Sequence, residues 1–219
     1  MKRTLSIFLT LALMLTLAAC GSTAGQGSAG SNPTPTPKES APISAVPETT
    51  PTVQPEDSGK KILIAYFSAT NNTENIANHL NEILDADLYE IVPETPYTSD
   101  DLNYNDSSSR SSVEMNDSSA RPAISGGVDN MERYDVIFLG YPIWWGEAPR
   151  IISTFLESYN LSGKTIAPFC TSGSSPLGSS ARNLQGLADS ATWLEGRRFS
   201  GGASASDVQS WVDGLNLNG

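Results

Sequence analysis

The sequence predicts an α/β domain over residues 60–219, an open parallel sheet with helices on both faces. Three observations carry this. Short apolar runs recur at residues 62–67, 87–92, 136–141 and 164–170 and within 192–199, and amphipathic or polar segments separate them. Strands alternating with helices need crossover connections, and those make the sheet parallel. Finally, the run at 136–141 is apolar at almost every position, so that strand must be central and covered on both sides.

The first run, Ile62 to Phe67, is short and β-branched enough for a buried strand. It turns through Ser68, Ala69, Thr70, Asn71, Asn72 and Thr73 into a helix with Ile76, Leu80 and Ile83 on one face. A hydroxyl-rich turn feeding a helix N-terminus receives anions, because first-turn N–H groups lack intrahelical acceptors and the dipole is positive there. Ser68, Thr70 and Thr73 add hydroxyl donors, and no lysine or arginine lies in the turn. That excludes a nucleoside triphosphate P-loop. A neutral receptor suits a phosphate monoester that is held as part of a cofactor and not transferred.

Residues 87–92 alternate and end at Pro93, which reads as the second strand. The long polar stretch 94–132 contains Tyr97 and Tyr104 and a short helix near 112–116. It is expected as an irregular crossover covering a sheet edge, and a loop of this length can also border a ligand. The central strand then runs into Pro142, Ile143, Trp144, Trp145, Gly146, Glu147, Ala148 and Pro149. Neighbouring residues on a loop point different ways, so at least one indole should offer a flat apolar surface to the crevice. Gly146 can turn its peptide at low cost to present either C=O or N–H. Glu147, beside the indole pair, is expected as a helix N-terminal carboxylate, with a general acid or base as the alternative. A helix over 150–159, a strand over 164–170 and a third loop over 171–178 follow. Thr171, Ser172, Gly173 and Ser174 open that loop with small side chains that let backbone approach a ligand. A helix over 181–187, a fifth strand within 192–199 and a helix over 206–215, capped by Ser204 or Ser206, complete the domain.

The pattern Ser68-x-Thr70-x-Asn72-Thr73 at the end of a first strand resembles the phosphate loop of flavodoxins, whose usual form has glycine where Asn71 stands. Asparagine is the non-glycine residue most tolerant of a left-handed backbone. The stretch Gly140 to Pro149, GYPIWWGEAP, is similar to the second flavin-binding loop of flavodoxin-like proteins and sits one strand-helix-strand unit later. The resemblance covers residues 60–219. It implies a flavodoxin-like three-layer sandwich whose five parallel strands take the order 2-1-3-4-5, with the ligand at the switch point between strands one and three. It also implies noncovalent FMN. The phosphate would lie on Ser68 through Thr73, the ring against Pro142, Ile143, Trp144, Trp145 and Gly146, and the ribityl chain and pyrimidine edge near Thr171, Ser172, Gly173 and Ser174. In the family the Trp-Gly peptide turns to hydrogen-bond the ring's N5 on reduction. The flavin itself supplies the redox chemistry, so no catalytic side chain is expected. Acidic surroundings and a neutral cradle disfavour added negative charge. They should lower the potential of the fully reduced step by tens of millivolts for each roughly 1 kcal/mol.

Composition sets the remaining expectations. From Lys60 onward there are 20 acidic and 10 basic residues, a balance that argues against nucleic acid as a partner. Cys20 and Cys170 are the only cysteines and His79 the only histidine, which makes a zinc or copper site improbable. Cys170 ends an apolar run and reads as a small buried hydrophobe. Residues 1–20 have Lys2 and Arg3 before an apolar stretch that ends in Leu17-Ala18-Ala19-Cys20. This resembles a bacterial lipoprotein signal with a lipobox, so Cys20 is expected to be acylated and to anchor the protein at the membrane. Residues 21–59, rich in Gly, Ser, Thr and Pro, are expected as a disordered tether. The expected function is electron transfer outside the cytoplasm between protein partners. An NAD(P)H-dependent quinone reductase and a cofactor-free binding module are the alternatives.

Overall fold

The computed structural model describes residues 59–215 and 217. The expected leader with Cys20, and the expected tether apart from Gly59, lie outside the described residues. The elements run β1 (Ile62–Tyr66), α1 (Asn72–Leu84), β2 (Asp87–Glu90), β3 (Val92–Pro93), α2 (Arg110–Asn116), β4 (Ile124–Ser125), β5 (Val136–Pro142), α3 (Arg150–Glu157), β6 (Thr165–Thr171), α4 (Ser180–Gln185), β7 (Thr192–Trp193), β8 (Arg197–Phe199) and α5 (Ala205–Gly214). A 3-10 turn, Met131–Arg133, leads into β5. No helix among the described residues is long and apolar enough to cross a membrane.

The main sheet is parallel with order β2-β1-β5-β6-β7, and β8 also pairs with β6. This is the expected order with the fifth strand in two pieces, so the sheet has six strands where five were expected. The break has a local cause. Ile166 faces Trp193 and Phe169 faces Arg197, so the edge strand holds one extra residue between the two ladders. Opposite that gap is Pro168, which has no N–H to give the edge strand. Gly196 sits so close over it that a Cβ there would come within 2.9 Å of Pro168 Cγ.

Both faces of the sheet are covered. On one, Leu63, Ala65, Ile137, Leu139, Tyr141 and Ile166 pack against Ile151, Ile152, Phe155 and Leu156 of α3. On the other, Ile64, Tyr66, Phe138, Ala167 and Phe169 meet Ile76, Ala77 and Leu80 of α1 and Val208, Trp211 and Val212 of α5. The period-2 alternation of each strand therefore feeds two cores, which is why β5 reads as uniformly apolar. Helix α5 begins at a capping box: Ser204 Oγ accepts from Asp207 N–H, and the Asp207 carboxylate accepts from Ser204 N–H.

Residues 94–132 are more ordered than an irregular crossover. The ladder of β2 stops at Glu90, two residues earlier than expected, and β3 leaves to pair antiparallel with β4. Helix α2 starts at Arg110, capped by Ser109, whose side chain accepts from Ser112 N–H. The lobe is tied to α3 and its surroundings. Arg121 donates to both Glu157 oxygens at 2.7 and 2.8 Å, Arg150 donates to Met115 O at 2.9 Å, and Val128 N–H donates to Tyr159 Oη at 2.7 Å.

Candidate functional site

Three loops leave the carboxyl ends of β1, β5 and β6, which are neighbours in the sheet. In loop 1 the chain crosses from β1 to α1 through Asn71, whose φ of 61° is left-handed. That backbone is the one expected where a related loop has glycine. Ser68 Oγ is buried with no hydrogen-bond partner among the described residues, and an orphaned buried hydroxyl is costly unless a ligand engages it. Thr70 Oγ1 accepts from Asn72 Nδ2 at 3.0 Å, which leaves its own proton free. Thr73 is buried, and its hydroxyl pairs with that of Thr171 at 2.7 Å, linking loop 1 to loop 3. Two hydroxyls share one hydrogen bond there, so one proton remains available.

Loop 2 is a tight hairpin. Trp144 and Glu147 exchange backbone hydrogen bonds, each 2.9 Å, around Trp145 and Gly146. These two have φ of 49° and 82°. Positive φ at both central residues is the signature of a type I′ turn. The two indoles have different roles. Trp144 is half-buried, edge-on to Phe67 at 5.6 Å and to Tyr97 at 5.3 Å between ring centroids. Trp145 is 50% exposed. Tyr97 comes from the 94–132 lobe and is itself held. Its hydroxyl donates to Glu114 at 2.5 Å, and the Arg110 guanidinium lies 4.0 Å from its ring centre. Burial, then the Glu114 hydrogen bond, push its phenol far above the ordinary range, so it remains a donor. Glu147 was expected at the start of α3, but its carboxylate instead accepts from Asn183 Nδ2 of α4 at 2.8 and 2.9 Å. It is a clasp for loop 2, satisfied by neutral partners.

Loop 3 is shaped by a residue outside every motif. Arg198 of β8 donates to Ser172 Oγ at 3.0 Å, to Ser172 O at 2.6 Å and to Gly173 O at 2.7 Å. Ser172 Oγ in turn donates to Ser175 O. Gly173 and Ser174 are exposed, and space is open where a Gly173 Cβ would stand. Beneath them Cys170 is fully buried, and burial pushes its thiol up to about 12. It is a packing residue with no thiolate near neutral pH.

Two adjoining clefts share Thr70, Pro142, Ile143 and Trp144 as walls. One, of about 290 Å³, is completed by Asn72, Thr171, Ser172, Gly173 and Gly201, so all three loops line it. The other, of about 440 Å³, is completed by Ala69, Trp145 and, from the 94–132 lobe, Leu102, Tyr104 and Ser111. Every expected loop thus converges on one region. Against this geometry, the sequence profile of flavodoxins matches residues 61–215.

The chain belongs to the flavodoxin family.

Solved structures of similar proteins agree. The flavodoxin domain is 48% identical to a protein of Bacteroides eggerthii DSM 20697 classed as a flavoprotein, with a TM-score of 0.69 over 73% of this chain and 99% of that one. A flavoprotein of Lactobacillus acidophilus NCFM, solved in complex with FMN, is 26% identical with a TM-score of 0.54, covering 70% and 99%. No curated protein matches the chain. Sequence reasoning missed two parts of this flavodoxin site. Arg198 had no signal beyond two adjacent arginines on an edge strand. The lobe residues Tyr97, Leu102 and Ser111 lie in the 94–132 segment, which was expected to be able to border a ligand but without these residues being assigned to the site.

Proposed function

We propose that this flavodoxin domain binds FMN noncovalently and passes electrons between protein partners outside the cytoplasm, tethered to the membrane by acylated Cys20. The observation that carries the cofactor reading is the cleft that all three loops line, together with the Ser68 hydroxyl, buried in the loop between β1 and α1 with no hydrogen-bond partner among the described residues. These residues fit the group. Ser68, Thr70 and the first-turn amides of Asn72 and Thr73 would hold the phosphate dianion with neutral donors and the helix dipole. Asn72, Thr171 and Ser172 line the more polar cleft and suit a polyol chain. Trp144, braced by Phe67 and Tyr97, and the exposed indole of Trp145 would cover the ring. The combined clefts match the size of pockets that enclose a small ligand. Bound FMN supplies one- and two-electron redox chemistry. The chain's own residues hold it, keep water from the indole side and leave an edge of the cleft open. The FMN complex of the Lactobacillus acidophilus protein supports this reading, as do the charged start, apolar run and small-small-Cys ending at Cys20 for the anchor.

One experiment tests both parts. Full-length protein and a Cys20→Ser variant are expressed in a bacterial host, fractionated and titrated with FMN after flavin removal. The expected result is a yellow, 1:1 complex in both, membrane-bound for the native chain and released for the variant. A domain that stays colourless with excess FMN would overturn the cofactor. Membrane binding that survives Cys20→Ser would overturn the lipid anchor.

A further inference from the structure

Two large aromatic side chains stand in solvent along the wider cleft. Trp145 is 50% exposed and Tyr104 is 73% exposed. A flat ligand ring has two faces, and the loop 2 indoles can cover one of them. Loop 3, residues 171–178, contains no aromatic residue to cover the other. Among the side chains lining either cleft, Tyr104 is the one aromatic from outside loop 2. Its ring is exposed, yet the backbone beneath it is tied down. The Asp101 carboxylate accepts from Thr98 N–H at 2.8 Å and from its hydroxyl at 2.7 Å. Ser111 donates its N–H and its hydroxyl to Asp101 O at 3.0 and 2.6 Å. The turn closes with Asp106 N–H donating to Asn103 O at 3.1 Å. A ring presented on an ordered turn loses little further freedom when a ligand meets it.

We infer that Tyr104 is a cofactor-contacting residue, covering the face of the bound ring that the loop 2 indoles leave open. This rests on the FMN reading above. It assigns the 94–132 lobe a role in binding: Tyr97 packs edge-on against Trp144, and Tyr104 lines the same cleft from outside loop 2. An aromatic pair contributes enough beyond plain burial to change a dissociation constant roughly three- to tenfold.

The test compares FMN dissociation constants and visible spectra for the native protein, Tyr104→Leu and Tyr104→Phe. Tyr104 lies outside the packed cores, so neither substitution threatens folding. Tyr104→Leu should bind FMN roughly three- to tenfold more weakly and shift the flavin's visible band, while Tyr104→Phe should restore both. If the native protein fails to bind FMN, the cofactor reading falls and takes this inference with it. If the native protein binds and Tyr104→Leu binds equally tightly with an unchanged spectrum, the Tyr104 assignment alone is overturned.

Discussion

Asn71 and Trp145 both hold left-handed backbones, but for different reasons. Asparagine visits φ near 60° at small cost, so Asn71 reproduces the bend that glycine gives related loops. Trp145 is bulky, and its φ of 49° costs roughly 1–3 kcal/mol. The paired backbone hydrogen bonds of Trp144 and Glu147 hold it there, along with the clasp of Glu147 on Asn183. A third position is strict for packing reasons. Gly140, in the middle of β5, lies under the ring of Phe169, and a Cβ there would stand 2.2 Å from Phe169 Cζ. Phe169 is fully buried in the core with Phe138 and Trp211 and has no room to retreat. Gly140→Ala should therefore destabilise the domain by about 1–3 kcal/mol, the usual cost of overpacking. Chemical denaturation reads this directly, and an unchanged midpoint would show that the Phe169 ring can swing aside.

Loop 3 owes its form to a neighbouring strand, since the Arg198 guanidinium of β8 binds two consecutive carbonyls and a hydroxyl of residues 172–173. Arg198→Met keeps the apolar stem and removes the donors. Loop 3 amides should then exchange faster with solvent, while the β6 ladder keeps its protection. Lysine should restore this only in part, because a point charge lacks the planar fork. Exchange unchanged in Arg198→Met would mean that Ser172 holds the loop unaided. The sequence could not reveal this contact, which joins residues 25 and 26 positions apart through side-chain geometry alone. The same limit hid how the 94–132 lobe is anchored, through ties of Arg121 to Glu157 and Arg150 to Met115 that span 36 and 35 positions. Local signals, by contrast, were legible. Apolar runs placed β1, β5 and β6, the hydroxyl turn placed loop 1, and the Ser204 cap placed α5. Where a local signal misled, a neighbour intervened. The fifth strand reads as continuous until Pro168 of β6 withholds an N–H from it.

The assembled domain presents its cleft within an acidic field, with 20 acidic residues against 10 basic ones from Lys60 onward. Part of that charge stands beside Tyr104, which lines the wider cleft. Asp101 and Asp106 flank Tyr104 on its turn, and each carboxyl is held below the usual range, Asp101 chiefly by the Thr98 N–H and Asp106 chiefly by the Ser108 hydroxyl. A lowered pKa keeps a carboxylate charged to more acidic pH than usual, so this rim stays anionic across the neutral range and somewhat below it. The nearby Arg110 is engaged by Glu114 at 2.7 Å and adds little free positive charge. Such a rim should steer a cationic partner toward the cleft and repel an anionic one, with effects on encounter rate of about ten- to a thousandfold at low salt. The screening length is about 10 Å at 0.1 M ionic strength, so the steering fades as salt rises. Reduced, FMN-loaded protein should therefore transfer electrons to a positively charged acceptor at a rate that falls with ionic strength. The rate should rise with salt for a negatively charged acceptor and stay flat for a neutral one. Stopped-flow mixing with the three acceptors over a salt series measures these slopes. A flat response to the cationic acceptor would show that partners reach the cleft without help from the acidic rim.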